Sequence, residues 1–260
     1  MEDILEFDDE TSRVVEEFNA SQGAIERRSR ITAALALQPG EAILDVGSGP
    51  GNQAFELSPV VGSTGRIDGV DIAESALEIA QNRCSELDNV CFRLGDATRL
   101  PFNDRSFNAV MSSQVFEYLD DVAGGLAEIF RVLKPGGRAL IHDTDWGTTL
   151  LHSSNPGRMA RILEIWDDHL ADPHLPQTLG RKLADAGFTN VTIEAIVQID
   201  TKYDRSSVST ILLKFVGDYA ISQGITQEEA DAWMDDLKIL ASRGDFFCSW
   251  TEYIFTACKS

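Results

Sequence analysis

Positive charge is what this sequence has least of. Its 260 residues hold 22 Lys and Arg against 42 Asp and Glu, a formal net charge of −20. A chain so acidic is repelled by phosphate backbones, which argues against nucleic acid as a partner. Long apolar runs are missing too, since none approaches the ~20 residues of a membrane span, so no membrane partner is expected. The opening MEDILEFDDE lacks the basic start and apolar core of a secretory signal. Cys84, Cys91, Cys248 and Cys258 form no CxxC pair and have no histidine at metal spacing, so they read as reduced, buried thiols of a cytoplasmic protein. His152, His169 and His174 have no carboxylate pattern to complete a metal site, and no metal is expected. The rest, 43% hydrophobic and 25% charged, is ordinary for a globular chain long enough to bury a substantial core.

Strand and helix signals alternate at short spacing. Residues 3–36 read as helical and are stopped by QPG at 38–40. Strands are expected at 42–46, 65–72, 90–97, 107–114 and 138–146, with helices through about Ser58, over 73–87 and over 122–133, the last closed by KPGG. This rhythm predicts a doubly wound α/β fold, a parallel sheet with helices on both faces and ligands at the carboxyl ends of its strands. Beyond residue 146 the rhythm changes. Helices are expected at 156–171, 178–188 and 206–243, with a capping box at Thr226 and Glu229, and strands at 190–200 and 245–259. Two helical inserts, about 147–177 and 203–243, are expected to cap the functional edge within a single domain. Trp166, Trp233, Phe246, Phe247 and Trp250 read as packing residues.

The segment AILDVGSGPGN, 42–52, ends the first strand in a turn with Gly47, Gly49 and Gly51. Such glycines take positive φ and offer bare backbone to a ligand, and the helix that follows opens with unpaired N–H groups. Asp45, just before the turn, would repel a pyrophosphate but suits an ammonium group. Asp71, at the next strand end, suits the two hydroxyls of a ribose, and Ile72 beside it suits a purine face. Asp96, after the third strand, is placed to accept from an adenine amino group. A ligand with an amino acid tail, a ribose and an adenine satisfies all three acids, and S-adenosylmethionine has those parts.

The motifs LDVGSGPGN, VDIAESALEIA, GDATRLPFNDRSFNAV, FEYLDD and EIFRVLKPGGRALI, in this order, resemble those of class I S-adenosylmethionine-dependent methyltransferases of the small-molecule kind. The resemblance implies a seven-stranded sheet whose last strand, 245–259, is antiparallel. It implies that Gly47, Gly49 and Gly51 line the methionine part, that Asp71 takes the ribose, and that Asp96 with Ala97 takes the adenine. Ser113 or Gln114 would face the methionine end and the methyl. The chain departs from many relatives in carrying Glu117 and Tyr118 where a His-His or similar pair is usual.

Methyl transfer from a sulfonium is an in-line displacement with a neutral leaving group, so a base is needed only for an acceptor that arrives protonated. Candidates for that base are His142, Asp143 and Asp145; Trp146 beside them is placed to stack on a flat acceptor or shield a cation, and Tyr118, after the fourth strand, is a catalytic candidate where the acceptor should lie. Strand alternation puts His142 and Asp143 on opposite faces and Asp143 and Asp145 on one. Arg27, Arg28 or Arg30 is a candidate to close over the methionine carboxylate, and Arg181 to reach a carboxylate on cofactor or acceptor. The leading expectation is methyl transfer to O, N or C of a small organic acceptor. The alternatives are an S-adenosylmethionine-binding enzyme that does not methylate, such as a cyclase, a non-catalytic binding subunit, and a nicotinamide-dependent oxidoreductase. Asp45 and the GxGxG spacing argue against the last.

Overall fold

The computed structural model describes residues 9–260. Seven strands form one sheet: β1 (Ala42–Val46), β2 (Arg66–Asp71), β3 (Val90–Leu94), β4 (Phe107–Ser113), β5 (Leu133–Leu151), β6 (Thr189–Asp200) and β7 (Cys248–Cys258). Their spatial order is β3-β2-β1-β4-β5-β7-β6. β1 pairs in parallel with β2 and β4, as do β2 with β3 and β4 with β5. β7 runs antiparallel to both β5 and β6, as expected of 245–259. The direction of β1 to β5 repeats because each crossover between them returns over a face of the sheet.

The helices are α1 (Asp9–Ala20), α2 (Gln22–Leu35), α3 (Asn52–Val61), α4 (Glu74–Arg83), α5 (Val122–Val132), α6 (Pro156–Asp167), α7 (Pro176–Asp185), α8 (Val208–Ser222) and α9 (Gln227–Ser242). Alternation divides the core between the two sheet faces. Leu44, Val46, Val110 and Ile141 pack under α5 and α7 through Leu126, Ile129, Leu179 and Leu183. Ile43, Ile67, Met111, Leu140 and Ile254 pack under α2 and α3 through Ile31, Leu35 and Leu57. A third cluster joins α6, α8 and α9 around Trp233, with Phe246 just before β7 and Cys248 and Trp250 at its start. Among the described residues, no helix is long and apolar enough to cross a membrane.

Several boundaries differ from the sequence reading. The helix expected over 3–36 is broken at Ser21, whose Oγ caps α2 by accepting from Ala24 N and donates to Phe18 O; residues 3–8 of it lie outside the described residues. KPGG does not separate helix from strand, because β5 already begins at Leu133. Gly136 takes φ +77° there, and its N–H donates to Lys259 O at 2.7 Å. At its other end β5 runs past Trp146 to Leu151, so 147–151 belong to the sheet rather than to a helical insert. Thr148 makes the continuation possible: Oγ1 donates to Asp145 O and accepts from Thr251 N, bridging the irregular stretch. The helix expected at 206–243 is two, and Thr226 caps the second by accepting from Glu229 N at 3.2 Å. Cys84 and Cys248 are buried, but Cys91, on edge strand β3, is exposed, and Phe247 is 38% exposed.

Trp233 is fully buried at the centre of the α6–α8–α9 cluster. Trp233→Ala is expected to lower stability by about 3–5 kcal/mol, the range for emptying a large aromatic site. Denaturant unfolding checks this, and a loss under ~1 kcal/mol would show that the cluster collapses around the gap.

Candidate functional site

The carboxyl end of β1 turns at a left-handed bend. Gly47, Gly49 and Gly51 have φ of +72°, +49° and +78°, a region that side chains rarely adopt. The bend is held by Gly47 N and Ser48 N, which both donate to Val70 O of β2. A Cβ at Gly47 would lie 2.1 Å from Val115 Cγ2, so that glycine lets the turn pack against the chain leaving β4. Gly49 meets nothing within 4 Å, so its bare face opens onto free space.

Three acids stand at or just beyond the carboxyl ends of β1, β2 and β3. Asp71 accepts from Gly49 N at 2.8 Å through Oδ2 and from Ala73 N at 2.9 Å through Oδ1. Asp45 is buried, and burial, then the nearby Asp71 carboxylate, pushes its carboxyl up to about 7. Asp96, beyond β3, accepts from Thr98 N and Thr98 Oγ1. The parallel register places Asp45 opposite Gly69, two residues before Asp71, and Asp71 opposite Leu94, two residues before Asp96, so the acids step outward along neighbouring strand ends. Ile72 is 78% exposed beside Asp71, while the Ala97 side chain is in the core.

Beyond β4 the chain makes a short 3-10 turn, Phe116–Tyr118. Gln114, at φ +58°, enters it; its side-chain amide bonds to Thr144 Oγ1 at 3.0 Å. The residues of HDTDW divide between the sheet faces, as alternation requires. On the α5–α7 face Asp143 Oδ1 accepts from Val115 N at 3.0 Å, and burial pushes its carboxyl up to about 8 against the pull of the N–H groups of Val115, Glu117 and Phe116. Glu117 is fully buried and held well above the ordinary carboxyl range, by burial first and by Asp143 second. Its Oε2 accepts from Thr144 N and Trp146 Nε1, and its backbone carbonyl accepts from Ala171 N and Asp172 N. Asp145 accepts from Gln177 Nε2 at 3.0 Å and pairs with His174 Nδ1 at 3.1 Å, tying β5 to the start of α7.

On the other face, Ser113 Oγ lies 3.0 Å from His142 Nδ1, and His142 Nε2 lies 3.3 Å from Glu252 Oε2. His142 is fully enclosed, and burial lowers its pKa. Glu252 is equally enclosed, yet its carboxyl sits at about 2. Burial opposes ionisation there, but Arg27 at 3.6 Å, His142 and Trp250 Nε1 outweigh it.

His142, Asp143 and Asp145, expected as candidates for a base, each find hydrogen-bond partners within the protein. His142 has both ring nitrogens occupied, Asp143 holds the 3-10 turn, and Asp145 holds α7. Tyr118 is pushed up by burial and by Glu117, and its ring lies 5.6 Å from His169. The three early arginines are each paired with an acid: Arg27 with Glu252, Arg28 with Glu56 and Arg30 with Glu194. Arg181 pairs with Asp185 on the surface. Trp146 is not free to stack on a ligand, since its Nε1 donates to Glu117 and its ring meets Trp166 edge-on at 5.5 Å. Trp166, His169 and Tyr219 form a ring cluster between the helices and the 3-10 turn. Sequence reasoning missed Glu252. The signal was its alternation with Trp250 and Ile254 in SWTEYI, which puts an acid on an inward face.

A family described as a methyltransferase domain matches residues 37–204. Among curated proteins, the chain is similar to a 37.1 kDa protein of transposon TN4556 from Streptomyces fradiae, 31% identical over 88% of this chain and 66% of that one. It is also similar to the demethylmenaquinone methyltransferase of Staphylococcus aureus, 36% identical over 46% of this chain and 50% of that one. The chain thus spans between half and two thirds of the length of these relatives. Among solved structures, phosphoethanolamine N-methyltransferase 2 of Haemonchus contortus, in complex with S-adenosyl-L-methionine, shares the fold with a TM-score of 0.65. That likeness has 19% identity and covers 99% of this chain and 58% of that one.

The raised carboxyl of Asp143 has a consequence for stability. In the unfolded chain an aspartate titrates near ~3.9, whereas in the fold Asp143 does so at about 8. Between those values the folded state holds a proton that the unfolded state has lost, so this group's contribution to stability falls as pH rises across the window. Asp143→Asn, which resembles the neutral acid, is expected to lose less stability than the parent between about pH 5 and pH 8. Melting temperatures at both pH values check this, and parallel losses in the two proteins would contradict it.

Proposed function

Because the chain belongs to the class I S-adenosylmethionine-dependent methyltransferases, we propose that it is an enzyme that transfers a methyl group from S-adenosylmethionine to O, N or C of a small organic acceptor. The observation that carries the reading is the row of acids, Asp45, Asp71 and Asp96, at adjacent strand ends, beginning beside an open left-handed bend. The residues fit that ligand. Asp45 is buried with its carboxyl at about 7, a site that a neighbouring cation would return to the ionised form. Gly49 presents bare backbone to open space, and Ile72 leaves an apolar side chain uncovered beside Asp71.

In this reading Gly47, Gly49 and Gly51 line the methionine part and Asp45 attracts its ammonium group. Asp71 accepts from the ribose hydroxyls through lone pairs left by Gly49 and Ala73. Ile72 packs on the adenine, and Asp96 with the backbone of Ala97 holds its edge. Ser113 and Gln114 face the methyl. When bound, the cofactor supplies an electrophilic methyl on a sulfonium whose departure leaves a neutral thioether. The protein's part is to align the acceptor and exclude water, which can lower the barrier by ~7–11 kcal/mol. Asp143, with Glu117, positions the 3-10 turn that carries Tyr118, and Asp145 positions α7. The helical cap of α6, α8 and α9, with the rings of Trp166, His169 and Tyr219, shapes the acceptor side.

Calorimetric titration with S-adenosylmethionine and S-adenosylhomocysteine tests the reading; no binding of either would end it. A product heavier by one methylene separates methylation from a cyclase that keeps the cofactor intact. Asp71→Ala is expected to weaken binding by ~1.5–3 kcal/mol, the loss of a hydrogen bond to a charged group. Affinity is also expected to depend on pH through Asp45. Below about pH 7 a cationic ligand must expel the Asp45 proton, so affinity falls as pH drops, by up to ~tenfold per unit, and levels off above 7. Asp45→Asn is expected to flatten that profile, and an unchanged slope would remove Asp45 from the site.

A further inference from the structure

The chain Ser113–His142–Glu252 crosses three neighbouring strands, from the carboxyl end of β4 to the middle of β7. Its inner end is an ionised carboxylate. Glu252 takes Trp250 Nε1 at 3.1 Å and Gln198 Nε2 at 3.4 Å, and lies 3.6 Å from Arg27. An ionised carboxylate only accepts, so His142 carries its proton on Nε2 toward Glu252 Oε2. That leaves Nδ1 as a lone pair. Ser113 Oγ, 3.0 Å away, must then donate its hydrogen inward and turn its own lone pairs outward. Ser113 is only partly buried, on the same sheet face as Asp45 and two residues beyond Asp45's register partner Met111.

A serine, a histidine and an acid in line also suggest acyl transfer, but the neighbouring donors are spent. Gln114 N donates to His142 O and Val115 N to Asp143 Oδ1, so the backbone beside Ser113 offers no oxyanion hole. We infer that Ser113, His142 and Glu252 form a relay that removes a proton from the acceptor during methyl transfer, and that the acceptor is therefore a protic O–H or N–H compound.

The inference rests on the methyltransferase reading above. In the step, the acceptor's proton passes to Ser113 Oγ while the Ser113 proton passes to His142 Nδ1. The electron pair left on the acceptor forms the bond to the methyl carbon, and the carbon–sulfur pair stays on sulfur. The positive charge that disappears at sulfur reappears on the imidazole, beside Glu252. After product leaves, the proton returns through Ser113 to solvent. The charged groups facing His142 are Glu252 from β7, which favours the imidazolium, and Arg27 from α2, which opposes it. Burial opposes it as well, which favours return of the proton from the ring after transfer. Ser113 is the catalytic residue here, and His142 and Glu252 act through it.

Nitrogen-15 spectra of the imidazoles in the protein alone test the wiring. His142 is expected as the neutral Nε2–H tautomer near pH 7, with an Nδ1 resonance that moves to the unbonded position in Ser113→Ala. An Nδ1–H tautomer would overturn the relay, because Ser113 would then be the acceptor of that bond. Transfer of labelled methyl from S-adenosylmethionine into a metabolite extract tests the use. Ser113→Ala is expected to slow it ~10²–10⁴-fold at pH 7 with S-adenosylmethionine saturating, the deficit shrinking as pH rises and the acceptor ionises unaided. Glu252→Gln is expected to lose the tautomer preference and part of the rate. Unimpaired transfer by a folded, cofactor-binding Ser113→Ala would refute the relay while leaving the methyltransferase reading intact. A parent protein that binds no S-adenosylmethionine would refute that reading, with the tautomer result still standing for the wiring.

Discussion

The bridge that Asp71 makes between two loops organises the functional edge. One carboxylate oxygen accepts from Gly49 N and the other from Ala73 N, so a single side chain joins the bend after β1 to the start of α4. The bend needs this tie. Its three glycines lose more conformational freedom on ordering than any other residue type would. Further ties come from Val70 O, which accepts from Gly47 and Ser48, and from Arg83 Nε, which donates to Pro50 O at 2.8 Å. The open backbone at Gly49 is thus held on a rigid frame, and Asp45 is sealed beneath it near enough to Asp71 for their charges to repel.

The sheet divides the remaining polar groups by alternation. On one face burial pushes the carboxyls of Glu117 and Asp143 up, and among the described residues hydrogen-bond donors rather than a cation act against it. On the other face Glu252, enclosed to the same degree, stays ionised because Arg27 and His142 stand against it. Burial alone raises a carboxyl's pKa, and the partner decides where it ends. The same strand, β5, therefore carries an acid with a raised pKa and a hydrogen-bonded imidazole on successive residues, each answering to a different helix layer.

Much of the parallel half was legible in the sequence, because there the local signals and the global arrangement agree. The glycine bend, the three acids and the alternation of His142 with Asp143 all follow from strand period and turn chemistry. What was not legible depends on contacts between distant segments. The extension of β5 to Leu151 relies on Thr148, which bonds to both Asp145 and Thr251. The pairing of each early arginine with an acid from elsewhere in the chain, Arg30 with Glu194 for example, has no local signature. The same holds for the partners of His142, Asp143 and Asp145, which come from β4, β7, the turn after β4 and α7 and leave no mark in the local sequence.

The placement of β7 carries a consequence for the order of assembly. Among the described residues β6 pairs with β7 alone, which stands between it and β5. During synthesis β6 emerges first and must wait, unpaired on both edges, until α8, α9 and then β7 have followed. Its outward side chains Ile193, Val197 and Ile199 are largely uncovered even in the finished sheet. The nascent chain therefore exposes a sticky ribbon through that interval, when a chaperone or a neighbouring chain on the same message has its best chance to bind.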